Sequence, residues 1–305
     1  MIKYRVKNTR ITRLGSYNRI FSSQTFVSST VLLVIFLIYL SIINPERIYS
    51  RSDIVPVSID TTILVGRIPV DFRFPPTPSK EAILVLPGWN FSRTDVCYKS
   101  DFCLEARERG YILVLPEMLK SVYSSELFPE TRSDWRSYPT LPWVTDTLLP
   151  YCRNQFHIFI QGENNFLFGI STGARGVALV AENTGTLFRA GAALSGDYDQ
   201  TRMKTDKLMT GYYGPYLQFK NRWDGPDNPA LHSDRLKIPL YLAHGQKDQI
   251  VPCQQSIGFF GNINSEKSNR GHELHLCDSC GHNYAFWNSQ TEEVFTFFKK
   301  FSKKR

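Results

Sequence analysis

The first 19 residues contain no acidic side chain, although six bases (Lys3, Arg5, Lys7, Arg10, Arg13 and Arg19) are spread through them. Over 26–43 there is no charge of either sign. That stretch reads FVSSTVLLVIFLIYLSII, and its 18 residues as a helix would span about 27 Å, close to the hydrocarbon thickness of a bilayer. It has no polar face, which argues against a buried amphipathic helix. No small-x-small cleavage site follows it, and the basic leader is long for a signal peptide. These absences favour an uncleaved signal anchor over a removed leader. The bases ahead of it predict a cytoplasmic N-terminus. The expectation is a basic cytoplasmic tail over 1–25, a transmembrane anchor over 26–43 and a linker over 44–60. The folded body then lies outside the cytoplasm, in a periplasmic, extracellular or lumenal space.

The body also lacks a basic surplus. The whole chain carries 36 Lys and Arg against 28 Asp and Glu, a net charge of +8. Eleven of those bases lie in the first 19 and last seven residues, so 20–298 carries 25 bases against 28 acids, a net −3. No basic groove or helix stands out there, so nucleic acid is not an expected partner. The terminal clusters read as membrane-proximal or solvated tails. No internal repeat is visible. With 305 residues, 42% hydrophobic and 13% aromatic, the chain has ample length and apolar content for a packed core.

The organisation of the body follows from alternating apolar runs. Residues 61–74 fit an edge strand or a hairpin, ended by Pro75-Pro76-Thr77-Pro78. The runs 82–87 and 111–116 are apolar on both faces, each closes on a proline, and a helical segment over 100–109 separates them. This is a βαβ unit of a parallel sheet. A helix is expected over 139–151. Residues 157–160 and 166–168 fit two strands of a hairpin, or an insertion followed by one strand. Further strands are expected over 188–196, 238–245 and 272–277, with a short helix before the last and a closing helix over 290–301. Residues 198–235 have no period and many aromatics, which suits a lid or pocket wall.

One pentapeptide organises this alternation: Gly169-Ile170-Ser171-Thr172-Gly173. An apolar strand leads into it and a helical run, 174–182, leads out. A strand, a tight turn with serine at its apex and a helix form a nucleophile elbow. Side chains at Gly169 and Gly173 would collide with the neighbouring strand and helix. The Thr172 N–H then lies at a helix N-terminus, where it can donate to a developing oxyanion.

A serine nucleophile needs a histidine and an acid. His282, in Gly281-His282-Asn283-Tyr284, falls between the last strand and the last helix, at the carboxyl edge of the sheet. His157 and His244 belong in or at the end of strand runs and read as packed structural residues. His232 is in a polar loop, and His272 and His275 are within the last strand. Asp248, in Gly245-Gln246-Lys247-Asp248, follows the penultimate strand, and Asp197 at the end of the preceding strand competes with it. The chain order Ser171, Asp248, His282 is the order that an α/β-hydrolase sheet requires. The second oxyanion donor is expected from the Trp89 N–H in Gly88-Trp89-Asn90, although Trp89 also fits a pocket wall or core position.

These blocks resemble the α/β-hydrolases of the esterase group that includes S-formylglutathione hydrolases, feruloyl esterases and mycolyltransferases. The carrying residues are Leu86-Pro87-Gly88-Trp89-Asn90, Gly169-Ile170-Ser171-Thr172-Gly173-Ala174-Arg175-Gly176, Gly245-Gln246-Lys247-Asp248 and Gly281-His282-Asn283-Tyr284-Ala285-Phe286-Trp287, spanning roughly 80–300. Pro87 stands where this group often has His, and Thr172 and Ala174 replace the more frequent Met and Gly. Neither departure removes a needed backbone N–H. The resemblance implies an α/β-hydrolase fold over 61–305 with a mostly parallel central sheet and helices on both faces. It also implies a serine esterase acting on a small-molecule or lipid-like ester, which the stretch 26–43 would anchor to a membrane. The alternatives are an acyltransferase using the same triad and a catalytically silent binding protein of the same fold.

The six cysteines allow disulfides outside the cytoplasm, and Cys97 and Cys103 are near enough in sequence to pair. A rival reading of the last loop is zinc, since His272, His275, Cys277, Cys280 and His282 include several ligand types. The triad itself needs no cofactor and no metal. Asn90-Phe91-Ser92 has the form of a glycosylation sequon beside the oxyanion loop and is taken as coincidental.

Overall fold

The structure, a computed structural model, describes residues 60–77, 79–265 and 270–304. The chain divides into two compact units, 1–55 and 56–305, and every described residue belongs to the second. The expected tail, the anchor over 26–43 and all but the last residue of the linker lie outside the described residues. Among the described residues no helix is long and apolar enough to cross a membrane.

Eight strands form one sheet: β1 (Thr61–Val65), β2 (Ile68–Arg73), β3 (Ala82–Leu86), β4 (Ile112–Pro116), β5 (Asn165–Ile170), β6 (Ala190–Leu194), β7 (Leu240–Gly245) and β8 (Glu273–Cys277). Their spatial order is β1-β2-β4-β3-β5-β6-β7-β8. The hairpin reading of 61–74 holds: β1 and β2 pair antiparallel around a turn where Gly66 takes a positive φ of 64°. β2 meets β4 antiparallel, and every pairing from β4 through β8 is parallel. All residues of β3 through β7 are buried, which is why those runs are apolar on both faces.

Two helical layers cover the sheet. Helices Leu149–Phe156, Thr172–Thr184 and Gln254–Ser265 pack with one set of inward side chains. Phe102–Glu108 and Thr291–Phe301 pack with the other, where Phe102 stacks on Phe168 at 3.8 Å and Phe166 on Phe298 at 4.5 Å. A third cluster lies above the sheet, built on Val122, Trp135, Met209, Tyr212, Tyr213 and Trp223. It contains the short helices Lys207–Tyr213 and Lys220–Trp223, so the aperiodic stretch 198–235 is folded around aromatics.

One local expectation needs correction. Residues 157–160 form no strand; His157 and Phe159 both take a φ of 55°, which turns the chain instead of extending it. The insertion followed by a single strand, β5, is the arrangement found. The helix expected over 139–151 forms from 141 onward, widens into a π turn at Trp143–Leu148 and continues regularly as Leu149–Phe156. Pro150 has no N–H to offer the carbonyl one turn earlier, and that gap accounts for the widening.

Candidate active site

β5 delivers the chain into a turn with Ser171 at φ 55° and ψ −128°, a backbone state that costs of order 1–3 kcal/mol for a non-glycine residue. The glycines around it have no room for a side chain. A Cβ on Gly169 would stand 2.3 Å from the Gly173 carbonyl oxygen, and one on Gly173 would stand 2.0 Å from the Leu86 carbonyl oxygen. The elbow is therefore pressed backbone to backbone against the end of β3. Beyond it the loop at Gly88 runs over Ser171, so close that a Cβ there would meet the Ser171 Cβ at 3.0 Å.

His282 reaches the serine from the loop after β8. Its Nε2 is 2.9 Å from Ser171 Oγ, and its Nδ1 is 2.6 Å from Asp248 Oδ2. The other carboxylate oxygen, Oδ1, accepts the Ile250 and Val251 N–H groups, both at 2.8 Å. Burial alone would raise the pKa of Asp248, but hydrogen bonds from His244, His282 and the Val251 N–H outweigh it and hold the carboxyl well below its ordinary range. The structure thus brings Ser171, His282 and Asp248 together.

The two loops that carry the acid and the histidine are tied to each other. The Gln246 N–H donates to the Cys277 carbonyl at 2.8 Å, and the Lys247 N–H to the Cys280 carbonyl at 2.9 Å. A Cβ on Gly245 would lie 2.3 Å from that second carbonyl oxygen. Cys277 and Cys280 are joined in a disulfide, as are Cys97 and Cys103, while Cys152 and Cys253 are buried thiols. The zinc reading does not hold. Two of its ligands are bonded to each other, and His272 Nδ1 accepts the Leu240 N–H at 3.1 Å. No group of three His, Cys, Asp or Glu able to hold a metal occurs among the described residues.

The aromatic block after His282 acts as a backstop. Trp287 meets the imidazole edge-on at 5.1 Å and is itself fixed by donating from Nε1 to Ser195 Oγ at 3.0 Å. Asn283 caps helix Tyr284–Ser289 by accepting the Phe286 N–H at 3.0 Å. That cap turns the chain immediately after the histidine. Opposite, the Trp89 ring packs edge-on against Trp135 at 4.6 Å, linking the loop after β3 to the aromatic cluster. Thr172 follows Ser171 at the start of the elbow helix, and the loop that carries Trp89 comes against Ser171 at Gly88.

Asp197 occupies a different environment. It makes no contact with His282 of the kind that Asp248 makes. Its Oδ2 lies 3.6 Å from Nη1 of the fully buried Arg175, and that oxygen accepts no hydrogen bond. Burial raises its pKa to about 6, against the opposing pull of Arg175. Arg175, one turn along the elbow helix from Ser171, donates to the Val122 and Asp227 carbonyls, Gln200 Oε1 and the Tyr213 hydroxyl. It thereby ties helix Thr172–Thr184 to the stretch above the sheet. Neither Arg175 nor the His244 contact to Asp248, at 3.2 Å, follows from the sequence reading. The available signals were an arginine in an otherwise small and apolar helix, and a His-Gly pair just ahead of the acid.

This sheet and elbow are those of a serine hydrolase of the α/β-hydrolase fold. Residues 147–305 match the prolyl oligopeptidase family, peptidase family S9, and the chain belongs to that family. No curated protein matches the chain by sequence. Among solved structures it is similar to an S-formylglutathione hydrolase from Agrobacterium tumefaciens, with 15% identity and a TM-score of 0.63 over 80% of this chain and 94% of that one. It is also similar to a fluorophosphonate-binding serine hydrolase, FphF, of Staphylococcus aureus, with 15% identity and a TM-score of 0.62 over 79% of this chain and 97% of that one. An acylaminoacyl peptidase of Pyrococcus horikoshii matches with 15% identity and a TM-score of 0.60 over 85% of this chain but only 44% of the peptidase. At such identities the likeness is one of fold.

Proposed function

We propose that the chain hydrolyses carboxylic esters through an acyl-enzyme. The observation that carries this reading is the unbroken line from Ser171 Oγ through the His282 ring to the Asp248 carboxylate, at 2.9 and 2.6 Å. Ser171 attacks the ester carbonyl while His282 Nε2 takes its proton. Asp248 fixes the ring with Nδ1–H toward itself and stabilises the imidazolium. The Trp89 and Thr172 N–H groups receive the oxyanion. His282 then returns the proton to the departing alcohol, and water, activated by the same ring, releases the acid.

The substrate in this reading is a small-molecule or lipid-like ester, bounded on one side by Trp89 and the aromatic cluster. The family assignment supports a second reading, cleavage of a peptide or amide bond by the same residues. The proposed location is extracytoplasmic, behind an anchor at 26–43; the disulfides Cys97–Cys103 and Cys277–Cys280 suit an oxidising compartment.

Labelling with a fluorophosphonate probe tests the nucleophile. Wild type should label and Ser171→Ala should not; equal labelling of both, or of neither, overturns the assignment. Turnover of p-nitrophenyl esters against matched anilides then separates the ester from the amide reading.

A further inference from the structure

We propose that His244 is a positioning residue of the triad, sharing with His282 one oxygen of the Asp248 carboxylate and thereby setting how that carboxylate orients and charges the catalytic ring. The inference rests on the reading of Ser171 as the nucleophile.

The argument begins with the tautomer. His244 is the next-to-last residue of β7 and its side chain is fully buried. Its Nε2 lies 2.9 Å from the Val251 carbonyl oxygen. A carbonyl only accepts, so Nε2 carries the proton. Nδ1 lies 2.7 Å from Ser256 Oγ, so it accepts the Ser256 hydroxyl proton. The Nε2–H also faces Asp248 Oδ2 at 3.2 Å, the same oxygen that His282 Nδ1 approaches at 2.6 Å. With Ile250 and Val251 on Oδ1, the carboxylate has four N–H donors around it.

This arrangement affects both geometry and charge. A carboxylate held at both oxygens cannot swing, so the direction in which His282 presents Nε2 to Ser171 is fixed. A donor on Oδ2 also withdraws part of the negative charge that would otherwise act on His282. The charged groups around the pair are few. From the end of β6, Asp197 acts electrostatically on His282 and faces the guanidinium of Arg175. Lys247, in the acid loop, is exposed. Behind His244 stands Ser256, with the Tyr198 phenol beside it.

The test uses the full chain, p-nitrophenyl acetate as substrate and the pH dependence of kcat/KM. His244→Leu should lower kcat/KM about tenfold and move the acid limb of the profile upward by about half a pH unit, because the undivided charge of Asp248 then favours the protonated ring more strongly. His244→Gln, whose amide N–H can still reach the carboxylate, should recover most of both effects. Ser256→Ala, which frees the tautomer without emptying the site, should shift the limb in the same direction by less. Thermal melts establish which variants fold. If the Leu variant does not, the Gln and Ala variants carry the test. An acid limb that stays in place in every folded variant overturns the inference, as does a Gln variant no better than a folded Leu variant. Fluorophosphonate labelling separates this failure from that of the proposed reaction: a labelled wild type with unshifted variants removes the role of His244 alone, and an unlabelled wild type removes both.

Discussion

Asp197 and Asp248 each lie three residues beyond the end of neighbouring strands, β6 and β7, and both side chains are buried. They nevertheless titrate in opposite directions. Asp248 is pulled well below the ordinary range of a carboxyl, and Asp197 is pushed up to about 6. Burial opposes ionisation in both, so burial does not explain the difference. Donors do. Asp248 faces two backbone N–H groups and two imidazoles, whereas Asp197 has one guanidinium at 3.6 Å and an oxygen with no hydrogen bond. A nearby opposite charge that donates no hydrogen bond to the carboxylate does not replace short hydrogen bonds as compensation for lost water.

The sharpest way to break this comparison is to neutralise each carboxylate in turn. Asp248→Asn should lower kcat on a p-nitrophenyl ester by about 10³- to 10⁴-fold through loss of the correct His282 tautomer. Asp197→Asn should change it by less than about tenfold, since no hydrogen bond joins that carboxylate to the ring. Comparable losses in both would refute the assignment of Asp248 as the acid.

A second change acts on the partner. Arg175→Met should destabilise the fold by about 3–5 kcal/mol in urea titrations, because it strips donors from the Val122 and Asp227 carbonyls and leaves Asp197 buried without its cation. Adding Asp197→Asn should restore part of that loss, because the unpaired carboxylate goes with it. An additive double variant would mean that the two side chains act independently.

The smallest effect is a pH slope. Asp197 binds its proton more tightly folded than unfolded, so its contribution to stability is complete below about pH 4. That contribution is lost as pH rises through about 6, and the loss amounts to about 3 kcal/mol. Asp248 has the opposite sign: its contribution is complete above its ordinary pKa and declines as the medium becomes more acidic. Melting temperatures between pH 4 and 7 should therefore fall less steeply in Asp197→Asn than in wild type, and parallel curves would count against the raised pKa.

What the sequence made legible follows the same division. The convergence of Ser171, His282 and Asp248 was legible because each belongs to a local pattern whose position in the alternation of strands and helices is fixed. Gly169 and Gly173 were readable because a tight turn leaves no space beside the backbone. Which of Asp248 and Asp197 meets His282 was not decidable from the chain, since both follow strands and only three-dimensional neighbours separate them. His244 read as a packed residue, and it is one; that its ring also meets the acid depends on the path of residues 246–251. Arg175 binds carbonyls from segments more than fifty residues away in either direction, a pattern with no local trace. The cysteines at 277 and 280 satisfied a ligand spacing as well as a disulfide, and the position of His272 against β7 decided between them.

The contact at Gly173 bears on more than the turn itself. The two N–H groups proposed to receive the oxyanion belong to different segments, one leaving β3 and one opening the elbow helix. Where those segments meet, a Cβ on Gly173 would lie within 2.0 Å of the Leu86 carbonyl oxygen, so the spacing is gauged by bare backbone thickness. A hydrogen atom at that position is what sets the aperture. In the proposed reaction, rewriting the aromatic cluster would change which acyl group fits without altering that gauge.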